Sequence, residues 1–517
     1  MSRPRPQTRA TSKRYSTADP KANLTTLERQ FAALRDLEHA SAILGWDQEV
    51  IMPPGGAAAR GQALATLTSV AIEKASDPEL EEAVEQLERQ ADDLSETERR
   101  TVELARRRLH EVKAVPKDLA VEFSLAKSEA LEAWRVARAE DDFTGFAPAL
   151  ERNLDLSKRI AQAMSAGADP YDAAIDHYEP GGSAAEFDPL LEELEELTRE
   201  LLAVVKGSRQ RSEDKLLTQA FEIDVQRDTV AEVAGAMGID PSRSRLDLST
   251  HPFCGGVGPG DVRMTGRYDR TDLRPGFFGA IHEAGHGLYE QGLDPKRARS
   301  VLGGAVSMAI HESQSRLWEN QIARSQPFWK HWTTRLRKRF PESLAGVRPE
   351  QMWRAVNSIR PSMIRVEADE LTYNLHIILR YRIERELFGG TLAIRDLPER
   401  WNTGMQESLG LTPRNDAEGC LQDIHWAMGA FGYFPTYSIG NLYSAQFLEA
   451  ARRDLPNLDA DVAQGNMSEL SSWLGKKIHR HDRLYNAEQL VRRVTRKPLT
   501  VDAFRRYATA KVEALYG

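Results

Sequence analysis

"STHPFCGGVGPGDVRMTGRYDRTDLRPGFFGAIHEAGHGLYEQ", residues 249–291, contains a change of period that decides the fold. Its first half is a glycine-bearing loop followed by Val262 and Met264 alternating with Arg263, Thr265 and Arg267, the two-residue period of a strand or hairpin. In the second half Pro275 and Gly276 can open a helix, which runs on through His282 and His286. Outside this stretch the texture is helical almost throughout. "LEELEELTRELLAVVKGS" (191–208) repeats Leu, Val and Ala at three and four, fills the other face with Glu and Arg, and meets a stop at Gly207. The run from Asp77 to Val112 opens on Asp77-Pro78 and carries a second cap signal at Ser95 to Glu98. The expected fold is mainly α, with one small β-sheet beside the helix that carries the two histidines.

The bulk properties fit a folded globular chain. Of 517 residues, 41% are hydrophobic and 28% charged, close to globular averages. Acidic and basic residues are interleaved and sum to a net charge of -8, which argues against nucleic acid as a partner. Cys254 and Cys420 are the two cysteines, neither in a CxxC spacing, so a reducing, cytoplasmic compartment is expected. No run of roughly 18 apolar residues suggests a membrane span. Residues 1–22, rich in Arg, Pro, Ser and Thr with no apolar stretch, are expected to form a disordered tail ahead of one domain, 23–517.

Residues at i and i+4 share a helix face, so His282 and His286 can aim their imidazoles at one ion, with Glu283 beside them. Two helix-face histidines with ordinary packing partners are the competing explanation. A third ligand is needed downstream, and the next position expected of one zinc-peptidase pattern is Gly292 instead of a histidine. The following helix-like run, "GGAVSMAIHESQSRLWENQIA" (303–323), offers Glu312, which a turn between two helices would bring back towards the histidines. Glu319 and Glu290 are rivals, both read as solvated charges on helix flanks. His, His and Glu ligands with a glutamate base form a peptide-hydrolysing zinc site, in which the ion activates water and Glu283 carries its proton to the leaving amine.

Six ordered stretches then carry a family resemblance: "HPF" at 251, "DVRMT" at 261, "HEAGH" at 282, "HESQ" at 311, "IRVEAD" at 364 and "GCLQDIHW" at 419. With "LGWDQEVIMPPGG" (44–56) and "YDAAIDHYEPG" (171–181), the chain resembles the carboxypeptidase Taq family of metallocarboxypeptidases over nearly its whole length beyond residue 25. That resemblance implies a large two-lobed helical metallopeptidase with a deep active-site groove. It also implies a homodimer, peptide substrates with a free C-terminus, and removal of C-terminal residues with broad specificity. One divalent metal ion per subunit is implied, zinc or in some members cobalt, on His282, His286 and Glu312, with Glu283 as base. An oligoendopeptidase or dipeptidase on the same scaffold, or a silent peptide-binding protein, are the alternatives; the intact Glu283 speaks against the last.

An enzyme that trims C-termini must hold an α-carboxylate, which a guanidinium does bidentately. Arg365 of "IRVEAD" is the first candidate and Arg263 of "DVRMT" the second. The "DVRMT" strand is expected to line the groove and offer its backbone to substrate. His425 and Tyr437 are expected to donate to the oxyanion, with Tyr433 in reserve. Asp423 and Gln422 are expected to orient a histidine, and His251 and Asp261 to serve similarly near the metal. His376 and Trp318, Trp329, Trp332 and Trp353 read as packing. Cys254 stands where the family more often carries Thr, and reads as a small buried thiol.

Overall fold

Helix starts in this chain are written by side chains that accept the otherwise unpaired first N–H groups. In the computed structural model, which describes residues 19–165, 167–210 and 214–517, Asp19 accepts from Lys21 N to begin α1 (Pro20–Val50). The expected tail thus lies outside the described residues as far as residue 18, and Pro20 to Ala22 form the first turn of α1 instead. α2 (Ala57–Ala75) follows, then α3 (Pro78–Arg89), capped by Asp77 with Pro78 at its first position. α4 (Glu96–Ala114) opens on the predicted capping box of Ser95 and Glu98. These four helices bury their own apolar cluster, in which Leu27, Phe31, Leu80, Val84, Leu87 and Leu109 meet. That cluster makes a smaller lobe beside the main body.

The main body holds one continuous core. α5 (Lys117–Glu140) packs on α6 (Phe143–Met164), followed by α7 (Pro170–Tyr178), α8 (Ala184–Gly207), which ends at the predicted glycine, and α9 (Ile223–Met237). The strands are β1 (Ser244–Leu248), β2 (Cys254–Gly256) and β3 (Val262–Gly266), in spatial order β1-β3-β2. β3 is parallel to β1 and antiparallel to β2, with Met264 opposite both Leu246 and Cys254. Val262 and Met264 point into the core as the alternation predicted.

α10 (Leu273–Gly292) carries the histidines and packs on β3. It opens two residues before Pro275, because Asp272 accepts from Arg274 N and so sets the cap; proline fits the first turn, where no intrahelical N–H bond is lost. α11 (Met308–Arg316) is capped by Ser307 and continues into a π-helical turn, Leu317–Ile322. Next come α12 (Gln326–Arg339), α13 (Pro349–Val356), α14 (Tyr373–Gly389), α15 (Leu397–Leu409) and α16 (Pro435–Asp454), and shorter helices close the chain. His376 and the four tryptophans at 318, 329, 332 and 353 are buried in the core, as read. Among the described residues no helix is long and apolar enough to cross a membrane.

Candidate active site

Two close helix contacts build the site. A Cβ at Gly285, inside the HExxH turn of α10, would lie 2.6 Å from Ser315 Cα, so only glycine lets α10 and α11 approach this closely. On the other side of α11, a Cβ at Gly440 of α16 would sit 2.9 Å from Glu312 Cγ. Glu312 is thereby pressed towards the histidines. Its Oε2 is 3.5 Å from His282 Nε2 and 3.4 Å from His286 Nε2. One donor atom from each of the three residues falls within 4.8 Å of the others. Side-chain exposures of 22%, 14% and 9% for His282, His286 and Glu312 leave solvent a way in. Two imidazole nitrogens and a carboxylate oxygen facing one point are the donor set of a catalytic divalent-metal site, so the residues fit the ion.

Burial and charge act against each other here. Burial favours an uncharged Glu312, but His282, His286 and Arg316 overcome it and hold its carboxyl down at about 2. Burial likewise disfavours a charged His282, yet Glu312, the bond to Glu319 and nearby Glu283 lift it to about 9 in the metal-free protein. His286 is pushed down to about 4 by burial and by neighbouring His311. Glu283 is raised to about 7, chiefly by burial. A carboxyl lifted into the neutral range is suited to taking and giving a proton.

The two rival carboxylates are not free solvated charges: each is partly exposed and has a partner. Glu319 is largely shielded, with 13% of its side chain exposed, and accepts from His282 Nδ1 at 2.9 Å, with Arg316 and Arg324 each at 3.2 Å. Glu290 accepts from His311 Nε2 at 2.8 Å, and the His311 ring stacks on His286 at 4.4 Å. Both sit on the faces that α10 and α11 turn to one another, which spacing along one helix does not reveal.

A second polar cluster borders the first. Arg365 is buried and meets Asp423 Oδ1 through Nε at 2.9 Å and Nη2 at 2.8 Å, while Nη1 donates to Tyr373 OH at 3.0 Å. Arg380, fully buried, donates through Nε to Asp423 Oδ2 at 2.6 Å. Asp423 and Gln422 therefore do not orient a histidine: Asp423 lies between two guanidiniums, and Gln422 Oε1 accepts from the Arg365 backbone N–H at 2.9 Å. Tyr373 joins the clusters, since Arg316 lies 4.6 Å over its ring and 4.0 Å from Glu312 Oε1. His425 Nε2 is 3.2 Å from Tyr437 OH, and Tyr433 packs edge-on to Tyr437. Burial and Arg365 push His425 down to about 3, so its ring is neutral. Tyr373, Arg316 and Arg380 escaped the sequence reading; their only signal was proximity to motifs.

The sheet places the remaining candidates away from the three ligands. Arg263 is bound to Asp261 at 2.8 Å and lies 4.5 Å over Trp46, on the side of the sheet facing α1. Asp261 is thus committed to Arg263, and His251 is exposed, so neither supports a metal ligand. β3 is paired along both edges, so it has no free backbone for substrate; the free edge beside α10 belongs to β2. Cys254 lies in that edge strand, its thiol pushed well up by burial and by Glu283 and Glu290, which keeps it protonated.

Helices that present two histidines and a glutamate to one point, with a second glutamate one residue after the first histidine, define a metallohydrolase centre. The chain belongs to the carboxypeptidase Taq (M32) metallopeptidases, whose family model matches residues 26–512. It is 40% identical over 507 residues to thermostable carboxypeptidase 1 of Thermus thermophilus, covering 96% of this chain and 98% of the relative. Carboxypeptidase 1 of Bacillus subtilis is 36% identical over 495 residues, with 95% and 99% covered. The M32 carboxypeptidase of Deinococcus radiodurans superposes with a TM-score of 0.91 at 37% identity, over 96% of this chain and all of that one (100%). Metallocarboxypeptidase 1 of Trypanosoma cruzi gives 0.90 at 32% identity, over 96% and 100%. The expected mainly helical metallopeptidase fold is borne out, and the chain is a metallocarboxypeptidase that implies a divalent metal.

Proposed function

We propose that the enzyme removes C-terminal residues from peptides with broad specificity, using zinc, or alternatively cobalt, held by His282, His286 and Glu312. The observation that carries the C-terminal preference is an unbalanced charge. Arg365 and Arg380 share the single carboxylate of Asp423, and the further acid near Arg380, Glu384, is raised to about 7 by burial, which leaves an excess of buried positive charge in the wall next to Tyr437. A substrate α-carboxylate would balance it, taking the Arg365 N–H groups not bound to Asp423 or Tyr373. Arg263 is the weaker candidate, because it lies over Trp46 on the side of the sheet facing α1 and is bound to Asp261 there.

Zinc, when bound, acidifies water and polarises the scissile carbonyl. Glu283 accepts the proton of the attacking water and delivers it to the departing amine. His425, neutral and facing Tyr437 OH, and Tyr437 itself donate to the carbonyl oxygen as charge gathers on it. Tyr433, in edge-on contact with Tyr437, keeps that ring in place. The substrates are peptides with a free C-terminus; a cytoplasmic homodimer follows from the family resemblance.

The test compares one peptide as free acid and as C-terminal amide, with and without a chelator, followed by mass spectrometry. Chelator-sensitive release of single residues from the free acid alone is expected. Equal cleavage of both forms would replace this reading with an oligoendopeptidase.

A further inference from the structure

Glu319 is the one carboxylate among the described residues that touches a candidate metal ligand from behind. His282 presents Nε2 to Glu312 and Nδ1 to Glu319, at 3.5 and 2.9 Å. The other ring is held differently: His286 Nδ1 has no hydrogen-bond partner, and His311 stacks against its face. From these contacts we infer that Glu319 is a positioning residue for the metal, fixing the His282 proton on Nδ1 so that the Nε2 lone pair faces the ion. The inference rests on the metal site proposed above.

Three features make this contact more than a buried ion pair. First, Glu319 is itself fixed: Arg316 binds the same oxygen as His282, and Arg324 binds the other. Arg324 in turn lies 3.8 Å over Phe278, one turn before His282 on α10, and donates to Val356 O at 2.6 Å. Both helices that frame the metal group are therefore tied to this carboxylate. Second, the arginines share the negative charge of Glu319. They keep it an anion that accepts a hydrogen bond, and they weaken its pull on the His282 proton, so a neutral imidazole remains the ligand.

Third, the backbone is irregular at this point. Leu317–Ile322 is π-helical, with Ala323 N bonded to Trp318 O at 2.8 Å. Glu312 of α11 and Glu319 of the π turn are seven apart and would fall on nearly the same face of one ideal helix, two turns from each other. The wider π turn begins just before Glu319 and resets the run that follows, a feature that recurs at functional sites. Glu312 and Glu319 thus meet one imidazole at its two nitrogens, and among the described residues only His282 is held in this way.

The experiment measures zinc affinity by competition with a fluorescent chelator for the wild type, Glu319→Gln, Glu319→Asp and Glu312→Gln, with metal-free melting recorded for each. Glu319→Gln keeps the shape and removes the charge, and its affinity is expected to fall about 10- to 100-fold. Glu319→Asp, which restores the charge, is expected to recover part of that loss. Wild-type affinity in Glu319→Gln overturns the inference, provided that Glu312→Gln has lost the metal. Wild-type affinity in Glu312→Gln overturns the metal-site reading beneath it. Should Glu319→Gln not fold, nitrogen-15 NMR of the zinc-loaded wild type decides: His282 protonated at Nδ1 and metallated at Nε2 is expected, and the reverse assignment overturns the proposal.

Discussion

Lowering the pH from 8 to 6 sets protons against the metal at His282. In the metal-free protein its imidazole is held up at about 9 by Glu312, Glu319 and Glu283 against the opposing effect of burial, while His286 is down at about 4 and Glu312 at about 2. Between about 4 and 9 the empty site therefore carries one ligand proton, on His282, that an incoming ion must displace. A group that binds a proton in the free state and none in the bound state weakens binding as pH falls, by about tenfold or ~1.4 kcal/mol for each unit. Two units give about 100-fold. Glu283, at about 7, adds to the loss at the acid end, because a nearby cation favours its ionised form. Zinc affinity measured against a pH-calibrated chelator at pH 6, 7 and 8 should therefore rise about 100-fold or somewhat more across the series. Affinity that stays level over this range would refute the assignment of a protonated His282 to the empty site.

Other perturbations separate the roles of neighbouring residues. Glu283→Gln should lower kcat by about 10²- to 10⁴-fold while zinc affinity is retained, since only the proton carrier is lost; steady-state kinetics beside a metal assay checks this. Arg365→Ala should reduce kcat/KM for a free-acid peptide by about 10- to 100-fold, the loss of a charge-assisted hydrogen bond worth ~1.5–3 kcal/mol, whereas Arg263→Ala should leave the preference for the free acid intact. Gly285→Ala puts a methyl 2.6 Å from the Ser315 backbone. It should cost roughly 1–3 kcal/mol by overpacking, read as a lower melting temperature together with weaker zinc binding.

Local chemistry made much of this protein legible. Caps such as Ser95 with Glu98, the strand period at Val262 and Met264, and the i, i+4 pair of His282 and His286 are properties of short segments, and the structure repeats them. Glu312 was legible at longer range because α11 packs back on α10, although the two are joined by the irregular segment 293–307 and not by the short turn expected. Pairings between distant segments were not. Glu319 looked solvated because its partners His282 and Arg324 are not predicted by its own helix face, and Asp423 looked like an orienter of histidine because its arginines stand at 365 and 380. The alternation in "DVRMT" identifies a strand but carries no information about strand order, so the central place of β3 and the free edge of β2 emerge only with the sheet. Pro275 was a weaker start signal than the Asp272 side chain, which bonds Arg274 N.

The most direct measurement is anomalous scattering from crystals of the zinc-loaded enzyme, recorded on both sides of the zinc absorption edge. One strong peak per subunit is expected, about 2.0–2.2 Å from His282 Nε2, His286 Nε2 and a Glu312 oxygen, with Glu319 still bonded to His282 Nδ1. A peak elsewhere, or a metal bound without Glu312, would contradict this assignment.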